Sequence, residues 1–324
     1  MFMRTLSCLM VSFAAIWPAA FAHAQSYPTG PITIVAPFPA GGTPDLVARV
    51  IADKASSIMG VPMVVEAKPG GQSITGTTTV ANARPDGHTW LLATLSFVTS
   101  PVLVKGVSWD PVKSFRGIAQ LATAPVVAVV PASLGVTTLR DFVAKAKQAP
   151  GKLNYLMPGV GTSMHLNTEM LKKSAGIDLF AIPYKGTPLG MPELLKGELS
   201  FAMLPLSTAL PYLKDGKLTA LAVVAPERVS EIPDVPTLKE AGFPEAQVLS
   251  WYAMVAPAGT PDEAVAVANK ALNQAIADPG VKQRLRDLGV YVTQSNTAAQ
   301  TDTLLRGEAE RWKQTLRAMN LQAQ

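Results

Sequence analysis

From Ile32 onward the apolar positions along the chain alternate between two rhythms. Short runs of Val, Ile, Leu and aromatic residues, bounded by Pro, Gly or Asp, predict strands over 32–38, 62–66, 90–94, 126–130, 153–155, 179–182, 201–204, 218–224 and 251–256. Between them Leu46, Val47, Val50, Ile51 and Ile58 recur at helical spacing until Gly60, and a Thr/Ala-rich helix runs to Arg84. Further helices are predicted over 138–148, 163–174, 188–196 and 206–214. After a Pro- and Glu-rich loop at 226–247, Thr260 as cap and Pro261 as first helical residue open a tail that reads as helix to 319, interrupted near 278–280 and 289–296. Alternating β and α elements predict an α/β fold with mostly parallel sheets and helices on both faces.

The residues before this pattern have a different character. Arg4, a short apolar run from Leu9 to Phe21 and then Ala22-His23-Ala24 make a secretory signal, 1–24, cut after Ala24. The run is too short to span a bilayer, and Cys8 precedes the apolar core, where a lipidation cysteine would follow it. Cleavage removes Cys8 and His23, so an exported chain without cysteine must rely on its core. Its length fits two domains. The formal charge of +5 falls to +4 without Arg4, and no basic run exceeds Lys172-Lys173. Nucleic-acid binding is not expected, because it requires clustered cations. A mild positive balance suits anionic small molecules. With only His88 and His165 left, no metal site is expected, nor any cofactor.

The candidate chemistry lies in three strand–turn–helix units. The first is Phe38-Pro39-Ala40-Gly41-Gly42-Thr43-Pro44-Asp45, with Thr43 expected as N-cap and Asp45 in the first helical turn. The second is Pro69-Gly70-Gly71-Gln72-Ser73-Ile74-Thr75-Gly76, and the third is Pro158-Gly159-Val160-Gly161-Thr162-Ser163-Met164-His165. Glycine lets backbone amides approach a ligand closely, and helix N-termini carry unpaired N–H donors and partial positive charge, so carboxylates dock there. One such turn is ordinary βα-turn chemistry. Three in one chain point to a shared cleft, because ligands of α/β sheets bind at the carboxyl ends of strands.

Several further segments, in fixed order, carry a resemblance. They include Pro31-Ile32-Thr33-Ile34-Val35, Arg84-Pro85-Asp86-Gly87, Trp109-Asp110-Pro111-Val112-Lys113-Ser114-Phe115, Pro183-Tyr184-Lys185-Gly186, Asp234-Val235-Pro236-Thr237 and Ala256-Pro257-Ala258-Gly259-Thr260-Pro261. Together with the first and third turns they make the chain, from Tyr27 to about Gly289, resemble the Bug-type periplasmic receptors of tripartite tricarboxylate transporters. The resemblance implies a two-lobed periplasmic-binding-protein fold, type II-like, with a hinge and an interlobe ligand cleft. Lobe 1 is expected to comprise 25–124 and 226–324, and lobe 2 to comprise 125–225. It also implies that the first two turns hold a ligand carboxylate, that the helix start at 162–165 approaches from the other lobe, and that the partners are a small organic carboxylate and membrane permease subunits. A monomer in the periplasm is expected.

Expected ligand-facing residues are therefore Phe38, Ala40, Gly41, Gly42, Thr43, Asp45, Gln72, Ser73, Ile74, Thr75, Ser96, Thr162, Ser163, His165, Tyr184 and Leu204. Two departures bear on the ligand. Leu204 stands where many relatives have an Asp able to meet an amine, and Leu156-Met157-Pro158 replaces small polar residues. A buried ammonium without an acceptor is costly, so a mono- or dicarboxylate with an aromatic or alkyl body is expected and a zwitterion is not. Lys185 is either a solvated charge or a counter-charge for a second carboxylate. Trp251 and Tyr252 are expected to pack, and His88 to lie at the surface.

The rival from another class is a periplasmic hydrolase with Ser73, Ser163 or Ser96 as nucleophile and His165 as base. The G-x-S-x-G elbow is not completed in Gly71-Gln72-Ser73-Ile74-Thr75, and no H-E-x-x-H or P-loop occurs. Charged residues make up only 16% of the chain, so acid–base carboxylate pairs have few candidates. A receptor for a sensor or an ATP-driven importer would have the same soluble chain.

Overall fold

The computed structural model describes residues 27–319 and Leu321, so the expected signal segment 1–24 lies outside the described residues. In chain order the elements are β1 (Ile32–Ala36), α1 (Thr43–Met59), β2 (Met63–Ala67), α2 (Ile74–Ala81), β3 (Thr89–Ala93), α3 (Leu95–Leu103), β4 (Phe115–Ala124), β5 (Val126–Pro131), α4 (Leu139–Gln148), β6 (Asn154–Met157), α5 (Ser163–Ala175), β7 (Phe180–Pro183), α6 (Thr187–Lys196), β8 (Phe201–Pro205), α7 (Leu206–Lys214), β9 (Leu218–Val224), β10 (Ser250–Pro257), α8 (Asp262–Ala277), α9 (Pro279–Asp287), β11 (Tyr291–Val292) and α10 (Ala298–Ala318).

The strands form two sheets, ordered β11-β4-β10-β3-β1-β2 and β7-β6-β8-β5-β9. The chain passes from the first to the second at Pro125, between β4 and β5, and returns at β10. In β1, β3, β5 and β10 successive buried residues face opposite sides of their sheet. Ile32, Ile34, Trp90, Leu92 and Met254 face one core with α1, α8 and α9, while Val35, Leu91, Ala93 and Val255 face another with α3 and α10. In the second sheet Val126, Ala128 and Val130 pack with α4 and α5, and Val127 and Val129 pack with α6 and α7. Both sheets are thus covered on both faces, which explains strand sequences that are almost continuously apolar.

The expected predominance of parallel pairing gives way to mixed sheets. β1–β2, β1–β3, β6–β7 and β6–β8 are parallel, whereas β3–β10, β4–β10, β4–β11, β5–β8 and β5–β9 are antiparallel. The reason is connectivity. The strands that carry the chain out of one sheet and back into it must run against the βα units already laid down. Segment 225–249 packs on the second sheet, with a Val223–Thr237 bridge and a reciprocal pair of hydrogen bonds joining Asn167 to the Val248 backbone.

Two expected caps are displaced. Gly42, not Thr43, is the N-cap of α1, and the Thr43 hydroxyl bonds Ser207 instead. Pro261, not Thr260, precedes the first residue of α8, because the Thr260 hydroxyl donates to Pro257 O. Thr138 and Thr162 do cap, accepting from the Asp141 and His165 amides. β4, α3 and β11 have no counterpart among the predicted elements.

Candidate ligand-binding site

Between the two sheets lies a cleft of about 360 Å³, within the range of small-molecule sites. Five helix starts open onto it: α1 through Gly42–Pro44, α3 through Thr94–Ser96, α5 through Thr162–Met164, α6 through Gly186–Pro188, and α7 through Ser207 and Thr208 after Pro205. Ala124, Val126, Ser250 and Tyr252, where strands pass between the lobes, complete its floor. The first amides of a helix have no partner within it and sit at the positive end of its dipole. Convergence follows from topology, since α1, α3, α5, α6 and α7 each begin at the carboxyl end of a strand.

The lobes meet around this cleft. Thr43 Oγ1 and Ser207 Oγ are 2.7 Å apart across it, and Thr99 Oγ1 donates to Gly161 O at 2.7 Å. Gly161 is obligatory here. Its φ is +77°, and a Cβ would fall 2.6 Å from Thr99 Oγ1.

Of the residues expected to face a ligand, Phe38, Gly41, Gly42, Thr43, Ser96, Thr162 and Ser163 line the cleft. Ala40, Asp45, Gln72, Ser73, Ile74, Thr75, His165, Tyr184 and Leu204 do not. Each of several exceptions has a physical cause. Asp45 is turned inward, accepting from the Gly41 amide at 3.0 Å and from Arg49 through two bonds of 3.0 Å. It braces the first turn. His165 accepts the Gly161 amide on Nδ1 at 3.2 Å, and burial pushes its pKa below the ordinary histidine value, so the ring is a neutral brace for the third turn. The Tyr184 hydroxyl is engaged by Glu193, and Leu204 is fully buried with its neighbours on β8, leaving Pro205 to face the cleft. Lys185 is exposed and lines no part of it.

The second turn behaves differently from the other two. Gly70, Gly71, Gln72 and Ser73 take φ values of +130°, +53°, +59° and +72° in succession. Such conformations cost the non-glycine residues about 1–2 kcal/mol each. Gln72 Oε1, Ser73 Oγ and Thr77 Oγ1 are buried without a protein partner, while Ser100 Oγ donates to Gln72 O at 2.9 Å.

Sequence reasoning missed Thr94, Leu95, Thr187, Met191, Ser207, Thr208, Tyr212 and Tyr252 as cleft residues. For Ser207-Thr208 a signal existed: hydroxyl residues directly after a strand and proline, as at Thr162-Ser163. For Tyr252, expected to pack, there was none. The serine–histidine pair of a hydrolase is not assembled, because Ser163 Oγ lies 3.3 Å from Met164 Sδ and His165 Nδ1 is occupied by the Gly161 amide. Among the described residues no three His, Cys, Asp or Glu gather as a metal site.

Residues 47–321 match the model of the tripartite tricarboxylate transporter family receptor. The chain belongs to this receptor family. A member-like relative, the UPF0065 protein in the gbd 5' region of Cupriavidus necator, is 37% identical over 86% of this chain and 85% of its own. The receptor fold is shared with solved structures. The periplasmic binding protein BugD has a TM-score of 0.86 at 31% identity, covering 92% of this chain and 100% of its own. Rpa4515 of R. palustris with adipate gives 0.87 at 28%, covering 92% and 100%, and MatC from Rhodopseudomonas palustris with bound malate gives 0.83 at 31%, covering 90% and 100%. This is a family of periplasmic binding proteins of Bug type, two-lobed, whose location is periplasmic.

Proposed function

We propose that the chain is a receptor that captures a small organic carboxylate in the interlobe cleft and delivers it to the membrane subunits of a tripartite tricarboxylate-type transporter. The observation that carries this is the convergence of five helix starts on one cleft in a chain of this receptor family. Preorganised amides with partial positive charge suit an anion, and the relatives solved with adipate and malate support the carboxylate class. The lining supports an uncharged body of aromatic or alkyl character, since Phe38, Met191 and Tyr252 are part of it.

Maturation removes 1–24, and the receptor acts as a monomer without enzymatic turnover. Lobe 1 comprises 25–124 and the C-terminal segment, and lobe 2 follows from 125. The packing of 226–249 on the second sheet supports a return point nearer Ser250 than 225.

A thermal-shift screen tests the proposal, because a ligand that binds only the folded state raises the melting temperature. Organic acids are expected to raise it, and sugars and amines to leave it unchanged. A response confined to sugars would overturn the proposal.

A further inference from the structure

Alternate residues of the crossing strands face opposite sides of the hinge. Ala124, Val126, Ser250 and Tyr252 look into the cleft, whereas Thr123 and Pro125 line a shallow groove behind it, together with residues 225–230 and Tyr291. Segment 288–291 runs from one side to the other, since Leu288 lines the cleft and Tyr291 the groove. Its backbone belongs to the first sheet. Gly289 turns the chain in the left-handed region after α9, Val290 is buried in the core shared with α1 and α8, and Tyr291 pairs with Thr123 of β4.

The Tyr291 side chain belongs to the other lobe. Its ring packs against the core that holds Leu199, Leu206 and Val229, and its hydroxyl donates to the Glu231 carboxylate. Glu231 is carried by the segment that packs on the second sheet through Val229, Ile232 and the Val223–Thr237 bridge. Beside it Gly289 lies so close to α7 that a Cβ would fall 3.1 Å from both Leu206 Cγ and Ser207 N. Burial, and then the bond to Glu231, push the Tyr291 pKa up to about 12, so the phenol remains a donor at neutral pH. In this arrangement the front of the cleft is shut, with Thr43 on Ser207 and Pro39 against Gly186. Opening rotates the second sheet about the crossing strands. A side chain rooted in one body and gripped by the other has to part or slide in that rotation.

We infer that Tyr291, which lies outside the ligand cleft, is a positioning residue for ligand capture: its bond to Glu231 behind the hinge holds the two lobes in the closed arrangement. Apparent affinity scales with the fraction of receptor in the binding-competent state. Loss of the bond therefore weakens every ligand by one common factor and leaves the order of preference unchanged. The inference rests on the reading of the chain as a two-lobed receptor and is independent of which acid it carries.

The test reads lobe separation directly and needs no ligand. With Cys8→Ser the chain has no cysteine. Val64→Cys and Phe180→Cys then place spin labels at exposed positions of β2 and β7, the outermost strands of the two sheets and far from the crossing strands in each strand order. Pulsed electron paramagnetic resonance of the ligand-free receptor gives the ratio of short to long separations. Tyr291→Phe keeps the ring and removes the hydroxyl, and is expected to lower that ratio about threefold or more, as loss of one hydrogen bond to a charged group allows. Glu231→Ala should lower it in the same direction, and the double variant should add nothing to the larger single effect. An unchanged or higher ratio in Tyr291→Phe would overturn the inference, as would absence of the short separation from the receptor that keeps Tyr291. A fall in melting temperature with the ratio unchanged would assign Tyr291 to fold stability alone and also count against it. Failure of organic acids to raise the melting temperature would instead overturn the carboxylate reading and leave this result standing.

Discussion

The three glycine-rich turns look alike in sequence, yet only the first and third line the cleft. The second, at 69–76, stands apart. Its glycines admit a run of left-handed residues and let α2 press on β1, where a Cβ on Gly76 would fall 2.8 Å from Pro37 Cβ and 2.9 Å from Lys68 O. In the third turn Gly161 serves the interface between lobes, with Thr99 where its side chain would be. The same composition thus gives close helix–strand packing in one place and a lobe contact beside the ligand cleft in the other. What differs is the element that the turn abuts.

This contrast can be broken or sharpened by substitution. Gly76→Val is expected to have the largest effect, lowering stability by about 3 kcal/mol in denaturant unfolding, because backbone and proline atoms cannot give way. Asp45→Ala should cost about 2 kcal/mol by the same measurement, from loss of charge-assisted bonds to Gly41 and Arg49. Gly161→Ala is expected to weaken carboxylate binding about tenfold, or about 1.4 kcal/mol, in calorimetry. If Gly76→Val lowered affinity without lowering stability, the second turn would have to be a ligand turn after all.

A smaller effect concerns pH. Burial holds the His165 pKa below its unfolded value, so the unfolded chain binds the extra proton first. The contribution is therefore fully present above the ordinary histidine pKa of about 6.5 and is lost as pH falls through that value, at most about 1.4 kcal/mol per pH unit. Melting temperatures from pH 7.5 to 5 should show this loss, and His165→Asn should flatten it. The smallest effect is expected for Thr77→Val, which removes an unpartnered buried hydroxyl at constant shape. It should be neutral or stabilising by less than about 1 kcal/mol in the same scans. A clear destabilisation would mean that the hydroxyl has a bound partner.

Much of this architecture was legible because local chemistry and tertiary context agree. The strands at 126–131 and 218–224 announce themselves as apolar runs, and Thr162 caps α5 as its position predicts. The failures share a cause. β4 reads Phe-Arg-Gly-Ile-Ala-Gln, too polar and too rich in small residues for a strand signal, yet pairing with β10 and packing under α10 hold it. α3 has Pro101 within it and an apolar run that suits either a strand or a buried helix. At the site, sequence spacing identified turns but not which side chains they aim outward. Asp45, His165 and Tyr184 carry the polar groups that attract attention, and each is held by a neighbour within its own unit. The uncharged wall of Ser207, Thr208, Met191 and Tyr212 comes from segments joined only by folding.

The most direct test of the central claim is a crystal structure of the receptor grown with an organic acid that raises its melting temperature. The carboxylate oxygens should lie within about 3 Å of amide or hydroxyl donors at the helix starts that line the cleft. A carboxylate found outside the cleft, with those helix starts facing only water, would contradict the account.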